Sequence, residues 1–149
     1  MLCVGVRPAA NVAAAAGDAG FGGIAGTAVV KVFDLEVART GPTLQDAREA
    51  GLRAHTTDVV HRTRARYYPG GAPLSVRLVH GDGGRLLRAQ LVGRQGTAKR
   101  VDVVAAAMYA GQTVAVVAHL DLAYAPPYSP VYDPLLIAAR AAQRAPEAA

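Results

Sequence analysis

Tryptophan is absent from this chain of 149 residues, phenylalanine occurs twice and cysteine once. A single cysteine cannot close an internal disulfide. Cys3 has no histidine or second cysteine near it in the sequence, so it reads as a buried or incidental thiol in preference to a nucleophile. Long apolar runs are missing as well. The longest uncharged stretch, Val103 to Ala118, is broken by Gly111, Gln112 and Thr113 and falls short of the ~20 apolar residues needed to cross a bilayer. The N-terminus places no basic region ahead of an apolar core, so neither a membrane span nor a secretory signal is expected. A cytoplasmic location fits these absences and the lone thiol.

Carboxylates are scarce in the middle of the chain. Between Arg53 and Arg100, ten Lys or Arg stand against only Asp58 and Asp82, within a net charge of +5. The planar fork of arginine matches two phosphate oxygens at once, so a phosphorylated ligand or a nucleic acid is a partner to weigh. A solvated basic face is the default for most of these residues. Nucleic acid ranks lowest, because no helix-turn-helix pattern, zinc-ligand spacing or aromatic RNA-binding motif is present, and no nucleic-acid partner is expected.

The chain has a hydrophobic content of 52% and is long enough for one globular unit with its own core. Residues 1–25 are rich in Ala and Gly and lack a clear period, reading as a remnant or linker with a marginal helix around Ala9 to Ala16. Gly20 to Ala25, GFGGIA, has the spacing of a dinucleotide-binding turn. That motif needs a strand before the glycines and a helix after them, whereas here an alanine-rich segment precedes and a strand follows.

TAVVKVF, Thr27 to Phe33, is β-branched and predicts a first strand, most of it buried. Thr43 with Asp46 three residues on marks a short helix that ends at Gly51. Arg53 to Tyr68 predicts a strand in which Arg62, Arg64 and Arg66 alternate with Thr63 and Ala65 and share one face. Either water or a phosphate group must lie over three arginines so arranged, and water is the default. Tyr67 to Gly70 form a turn, Pro73 to His80 alternate as the next strand, Asp82-Gly83 signal a hairpin, and Arg85 to Val92 return. Gly96 and Thr97 open a helix with Val101, Val104, Ala105 and Met108 at helical spacing, closed by Gly111. A second short helix spans Thr113 to His119, and its uncharged run should lie against a partner or the sheet. Strands in the middle with helices toward the ends argue an α+β fold with antiparallel strands.

One stretch stands apart. Asp121 to Pro134, DLAYAPPYSPVYDP, holds three tyrosines and four prolines in a chain otherwise poor in aromatics. Pro126 and Pro127 should hold Tyr124 and Ala125 extended, so that the phenols project from a stiff backbone. Asp133 and Pro134 read as the N-cap and first residue of a last helix, LLIAARAAQRA. On composition alone, a proline-rich connector whose tyrosines cover the core is slightly favoured over a site.

Four ordered pieces, GTAVVKVFD (Gly26 to Asp34), RARYYPG (Arg64 to Gly70), GTAKRVDVVAAA (Gly96 to Ala107) and DLAYAPPYSP (Asp121 to Pro130), change that balance. Together they resemble the dimerisation domain of the FAD-dependent pyridine nucleotide-disulfide oxidoreductases, in the branch of coenzyme A-disulfide reductases and NADH oxidases. The resemblance runs from about Gly22 to Ala142. It implies an antiparallel sheet with helices packed on one side, a dimerisation domain over 26–145 and a tail over 146–149. It further implies a homodimer, with FAD and NAD(P)H bound in the parent enzyme by domains this chain lacks and no cofactor bound by this chain alone. Those domains could belong to a separate polypeptide.

In the coenzyme A branch, two tyrosines cross the dimer into the partner's thiol site, and the matching positions here are Tyr67 and Tyr124. A phenol can donate a hydrogen bond to a thiolate or protonate a leaving thiol. Tyr128 and Tyr132 carry no such assignment and read as packing. Lys99 and Arg100, at the family's KR pair, are weaker candidates for an acidic ligand, as are Arg62 and Arg64, with a helix-surface ion pair to Asp102 or another carboxylate as the plainer role. A stand-alone module binding coenzyme A or another phosphorylated ligand is the alternative function. The family carries acidic residues after Thr113-Val114, where this chain has Ala115, Val116 and Val117, which removes a capping partner and exposes apolar surface.

Overall fold

Alternation of apolar and polar residues builds one sheet. The computed structural model describes residues 25–144, apart from the side chain of Arg48. The expectations placed on Cys3, Ala9 to Ala16 and the GFGGIA turn up to Ile24 lie outside these residues, as does the tail from Ala145. Strands β1 (Ala28–Val32), β2 (Leu35–Thr40), β3 (Ala54–Arg62), β4 (Pro73–Gly81) and β5 (Leu86–Gly93) are antiparallel and lie in the order β1-β2-β5-β4-β3. Among the described residues four α-helices accompany them: α1 (Leu44–Glu49), α2 (Thr97–Tyr109), α3 (Val114–Val117) and α4 (Pro134–Arg144).

The core lies between one face of the sheet and the helices. In β4, Leu74, Val76 and Leu78 are buried while Ser75 and Arg77 point to the other face. Val76 pairs with Leu91 and Leu78 with Ala89 of β5, and Leu91 pairs with Ala38 of β2, so one apolar layer crosses three strands. Val101 and Val104 of α2, Val114 and Val117 of α3 and Leu135 and Ala138 of α4 complete it. Each fully buried leucine contributes about 1.5–3 kcal/mol relative to exposure, and Leu74, Leu78, Leu91 and Leu135 are all fully buried. The uncharged run of α3 therefore packs inward, although Val116 stays exposed.

The opposite face of the sheet is open. Val30, Val37, Val60 and Val92 line a broad trough of about 840 Å³ there, together with a bidentate Arg77–Asp58 pair at 2.6 and 2.7 Å. Among the described residues, no helix is long and apolar enough to cross a membrane.

Local signals set the helix ends. The amide of Thr43 donates to the Asp46 carboxylate at 2.7 Å and the amide of Asp46 donates back to Thr43 Oγ1 at 3.1 Å, the reciprocal box expected for α1. The loop ahead of it needs Gly41. Its φ is +89°, and a Cβ there would sit 2.1 Å from the carbonyl oxygen of Leu87. Thr113 caps α3, its hydroxyl accepting from the amide of Val116 at 3.4 Å, so that helix keeps one cap despite the missing acidic residue.

Three expectations need correction. The first strand is not mostly buried: β1 is an edge strand, and Val29, Val32 and Phe33 are exposed. Residues 35–40 form β2, which pairs with β1 across a tight turn in which Phe33 adopts a φ of +54°. The third strand ends at Arg62 and not at Tyr68, because the backbone leaves the sheet to form a loop over 63–72. Arg62, Arg64 and Arg66 therefore do not share a strand face.

A buried ion pair closes the fold between α2 and α4. The guanidinium of Arg100 meets the Asp133 carboxylate through Nε at 3.0 Å and Nη2 at 2.9 Å, and both side chains are almost wholly buried. The ion pair with Asp102 does not form, because Arg100 points into the core side of α2 and Asp102 points out. Asp133 also accepts from the amide of Leu135 at 3.0 Å, which makes it the N-terminal cap of α4 as expected. Removing one partner leaves a buried charge unmatched, so Asp133→Ala is expected to lower the unfolding free energy by about 3–5 kcal/mol. Denaturant unfolding measures it, and a loss below about 1 kcal/mol would mean that the pair behaves like a surface one.

Candidate functional site

Two loops meet at the end of the sheet where α2 begins. The first, residues 63–72, leaves β3 and returns to β4, and Thr63 and Ala72 clasp its base: the Thr63 amide donates to the Ala72 carbonyl at 2.9 Å. Thr63 Oγ1 accepts from the Ala72 amide at 3.1 Å and from Gln95 Nε2 at 2.9 Å. Gln95 Nε2 also donates to the Gly70 carbonyl at 2.7 Å, which ties the loop tip to the turn ahead of α2. Tyr67 is carried outward on this braced turn and is exposed.

The second loop is the proline-rich stretch ahead of α4. Pro126 and Pro127 form a turn, closed by the amides of Tyr128 and Ser129 donating to the Ala125 carbonyl at 2.8 and 3.1 Å. Ser129 Oγ then donates to Asp133 Oδ2 at 3.0 Å, so the loop is fastened to the buried carboxylate. Arg100 binds the other loop as well, its Nη2 reaching the Thr63 carbonyl at 3.5 Å and its Nη1 the Gly96 carbonyl at 3.0 Å. One ion pair thus fixes both loops.

Their meeting brings the two tyrosines together. The hydroxyl oxygens of Tyr67 and Tyr124, 57 residues apart in the chain, lie 3.5 Å from each other at the long limit of a hydrogen bond. Both rings face solvent, Tyr124 about half exposed and Tyr67 three-quarters. The Tyr67 hydroxyl beside it, then desolvation and then the charge of an ionised Tyr67, raise the Tyr124 phenol above the ordinary tyrosine value. Like any phenol, Tyr124 is a proton donor at neutral pH.

The other expected residues scatter. Lys99 is exposed on α2, whereas Arg100 is buried and committed to Asp133, which leaves it no outward face for an acidic ligand. Arg62 and Arg64 flank the first loop, their Nη2 and Nη1 donating to the carbonyls of Gly71 at 2.8 Å and Pro69 at 3.1 Å. Neither Tyr128 nor Tyr132 is buried as packing would require: Tyr132 is half exposed with the Arg140 guanidinium 4.3 Å from its ring centroid, and Tyr128 is largely exposed. Sequence reasoning passed over Gln95, Thr63 and Ser129, which brace the two loops. Their polar side chains resemble any surface residue until the loops are folded against each other.

The described residues do not form a dinucleotide crevice of the doubly wound kind. Every strand pair is antiparallel, so no crevice opens between diverging parallel strands. The one long helix that follows a glycine turn, α2, has its N-terminus already occupied: Glu36 Oε2 accepts from the Thr97 amide at 3.1 Å and the Thr97 hydroxyl at 2.8 Å.

Residues 27–135 match the family described as pyridine nucleotide-disulphide oxidoreductase, dimerisation domain. An NAD(P)H coenzyme A polysulfide/persulfide reductase of Pyrococcus horikoshii is 41% identical over 121 residues, covering 80% of this chain and 27% of that protein. A coenzyme A disulfide reductase of Staphylococcus aureus is 36% identical over 110 residues, 73% of this chain and 25% of that protein. Among solved structures, an NAD-dependent persulfide reductase from A. fulgidus superposes with a TM-score of 0.80 at 44% identity, over 83% of this chain and 23% of the other. The chain thus spans about a quarter of the length of the relatives it matches. By its matched residues and its superposition on a solved relative, it belongs to the dimerisation-domain family of the pyridine nucleotide-disulphide oxidoreductases.

Proposed function

We propose that this chain is a homodimerising domain that completes a thiol–disulfide site built by the FAD- and NAD(P)H-binding domains of a disulfide reductase, and is not catalytic by itself. Those domains belong to the same polypeptide or to a separate one. The observation that carries the reading is the Tyr67–Tyr124 pair: two hydroxyls from distant segments, 3.5 Å apart on the surface. Such a pair can act on a sulfur atom in a partner subunit. When a disulfide is reduced, one sulfur leaves as a thiolate, and a phenol nearby can donate a hydrogen bond to it or hand it a proton. Tyr124 is suited to be that donor, since a phenol is protonated at neutral pH and its ring is the less exposed of the two, and Tyr67 is suited to orient it. The bracing through Arg100 and Asp133 keeps the two phenols in place before any ligand arrives, which lowers the cost of ordering them.

The pair is tested in a chimera in which this domain replaces the corresponding part of the Pyrococcus horikoshii relative. Tyr124→Phe is expected to lower disulfide turnover by about 10²-fold, the usual contribution of a positioned general acid, with little change in melting temperature. Turnover equal to that of the unsubstituted chimera in Tyr67→Phe, Tyr124→Phe and the double variant would sink the role of the pair while leaving dimerisation standing. Dimerisation has its own measurement: sedimentation of the purified chain should show a dimer at tens of micromolar, and a strict monomer would contradict the reading.

The coupling of the hydroxyls is visible without any partner. A near-ultraviolet pH titration should find Tyr124 ionising above the ordinary tyrosine value of about 10, and Tyr67→Phe should bring that transition down. The raised value makes the coupling a stabilising contribution present below the unfolded pKa and lost as pH rises through the folded one.

A further inference from the structure

The two tyrosines ride on different loops, so their separation depends on what joins those loops. We propose that Gln95 is the positioning residue of the pair: by fixing the tilt of the first loop it sets where the Tyr67 hydroxyl stands against that of Tyr124, and so the geometry in which the pair meets a leaving thiolate. The inference deepens the role proposed for the pair and rests on it where turnover is concerned.

The first ground is how fully the side chain is used. Gln95 Nε2 donates one N–H to Thr63 Oγ1 at 2.9 Å and the other to the Gly70 carbonyl at 2.7 Å, while Oε1 accepts from Arg64 Nη2 at 3.4 Å. The reverse orientation would set the amide oxygen against the Gly70 carbonyl and its nitrogen against a guanidinium, so only one orientation fits. Thr63 stands at the base of the loop and Gly70 just beyond Tyr67 at its tip. A planar amide that bridges base and tip fixes the tilt of what lies between. A brace that only closed the loop would be superfluous, since the Thr63–Ala72 clasp and the bond from Arg62 Nη2 to the Gly71 carbonyl at 2.8 Å already close it.

The second ground is what Gln95 stands on. It lies in the turn between β5 and α2, and both flanks of that turn are pinned: Arg94 pairs with Asp34 of the β1–β2 turn, and Glu36 accepts from the Thr97 amide. Gly96 has a φ of +78°, and a Cβ on it would fall 2.4 Å from Arg100 Nη1, which donates to the Gly96 carbonyl at 3.0 Å. The same guanidinium holds Asp133, whose carboxylate accepts from the Ser129 hydroxyl of the loop that carries Tyr124. Gln95 therefore sets the Tyr67 loop from the anchor that already fixes the Tyr124 loop, and two phenols 57 residues apart in the chain share one frame of reference. Such positioning bears on rate, because a misplacement of about 1 Å can cost about 10²-fold.

The experiment uses Gln95→Met, which keeps the length of the side chain and removes its hydrogen bonds, and Gln95→Asn, which keeps the amide but is one methylene too short to span Thr63 and Gly70. Circular dichroism should be unchanged, because Gln95 is no part of the apolar core. In the chain by itself, a tyrosine-resolved NMR titration reads Tyr124, assigned by its loss in Tyr124→Phe. Its transition is expected to fall toward the ordinary value of about 10 in either variant, as in Tyr67→Phe. In the Tyr67→Phe background Gln95→Met should add nothing, since a residue that acts through Tyr67 is silent without it. In the chimera with the Pyrococcus horikoshii relative, Gln95→Met should lower kcat about tenfold and leave KM, again only while Tyr67 is present. An unmoved Tyr124 transition in both variants, or a shift of equal size with and without Tyr67, overturns the proposal. So does a chimera that Tyr67→Phe slows and Gln95→Met does not, and so does unfolding of both Gln95 variants, which would make the residue a support of the fold and not of the pair. If Tyr67→Phe and Tyr124→Phe leave turnover intact while the titration behaves as stated, the reaction role of the pair fails and its positioning by Gln95 stands.

Discussion

The Arg100–Asp133 pair is the constraint on which the functional end of this domain depends. A guanidinium and a carboxylate taken out of water lose several kcal/mol of hydration each, and only close geometry with further hydrogen bonds offsets that. Here every additional contact falls on an element that carries part of the site. Thr63 and Gly96 accept from Arg100, while Ser129 and the Leu135 amide donate to Asp133. The residues that satisfy the pair are therefore the ends of the two loops and the start of α4. The same electrostatics that would penalise a half-formed pair holds the loops in register with each other.

Much of this architecture can be read from the chain. The α1 box, the β4–β5 hairpin, the opening of α2 at Gly96 and the Asp133-Pro134 start of α4 follow from short-range rules of capping, alternation and turn chemistry, and they appear where those rules put them. Failure came where pairing or packing decides. LEVART has a weak alternating pattern with Ala38 as its buried centre, and it becomes a strand because β1 and β5 flank it. RARYY has a regular one and is not a strand, because Arg64 and Thr63 find better partners in Pro69, Ala72 and Gln95 than a sheet edge would supply. The exposure of β1 has the same origin: β-branched residues signal a strand but not how many of its faces are covered.

The candidate site was legible in a different way. Nothing in composition distinguishes Tyr67 and Tyr124 from the other four tyrosines; motif resemblance singled them out, and the fold brings their hydroxyls together. The arginines show the reverse. Their density was plain in the sequence, but the arrangement inferred from strand alternation was wrong, and Arg62, Arg64 and Arg66 instead line a trough where a loop closes on β4. Arg100 looks like its neighbour Lys99 in the sequence, and only the rotation of α2 against α4 separates a surface cation from a buried one.

The outer strand of the sheet has a bearing on how the domain behaves in a crowded solution. Among the described residues, β1 has a sheet neighbour on one side only, with Val29 and Val32 exposed along it and Phe33 projecting at its end. Such an edge is a template onto which another chain can add a strand, and proteins deter this with charge or a break in the backbone. In AVVKV the deterrent is a single residue, Lys31, and the left-handed twist at Phe33 that halts the strand just beyond it. Among the described residues, resistance of this edge to uncontrolled stacking therefore rests on one ammonium group and one awkward peptide.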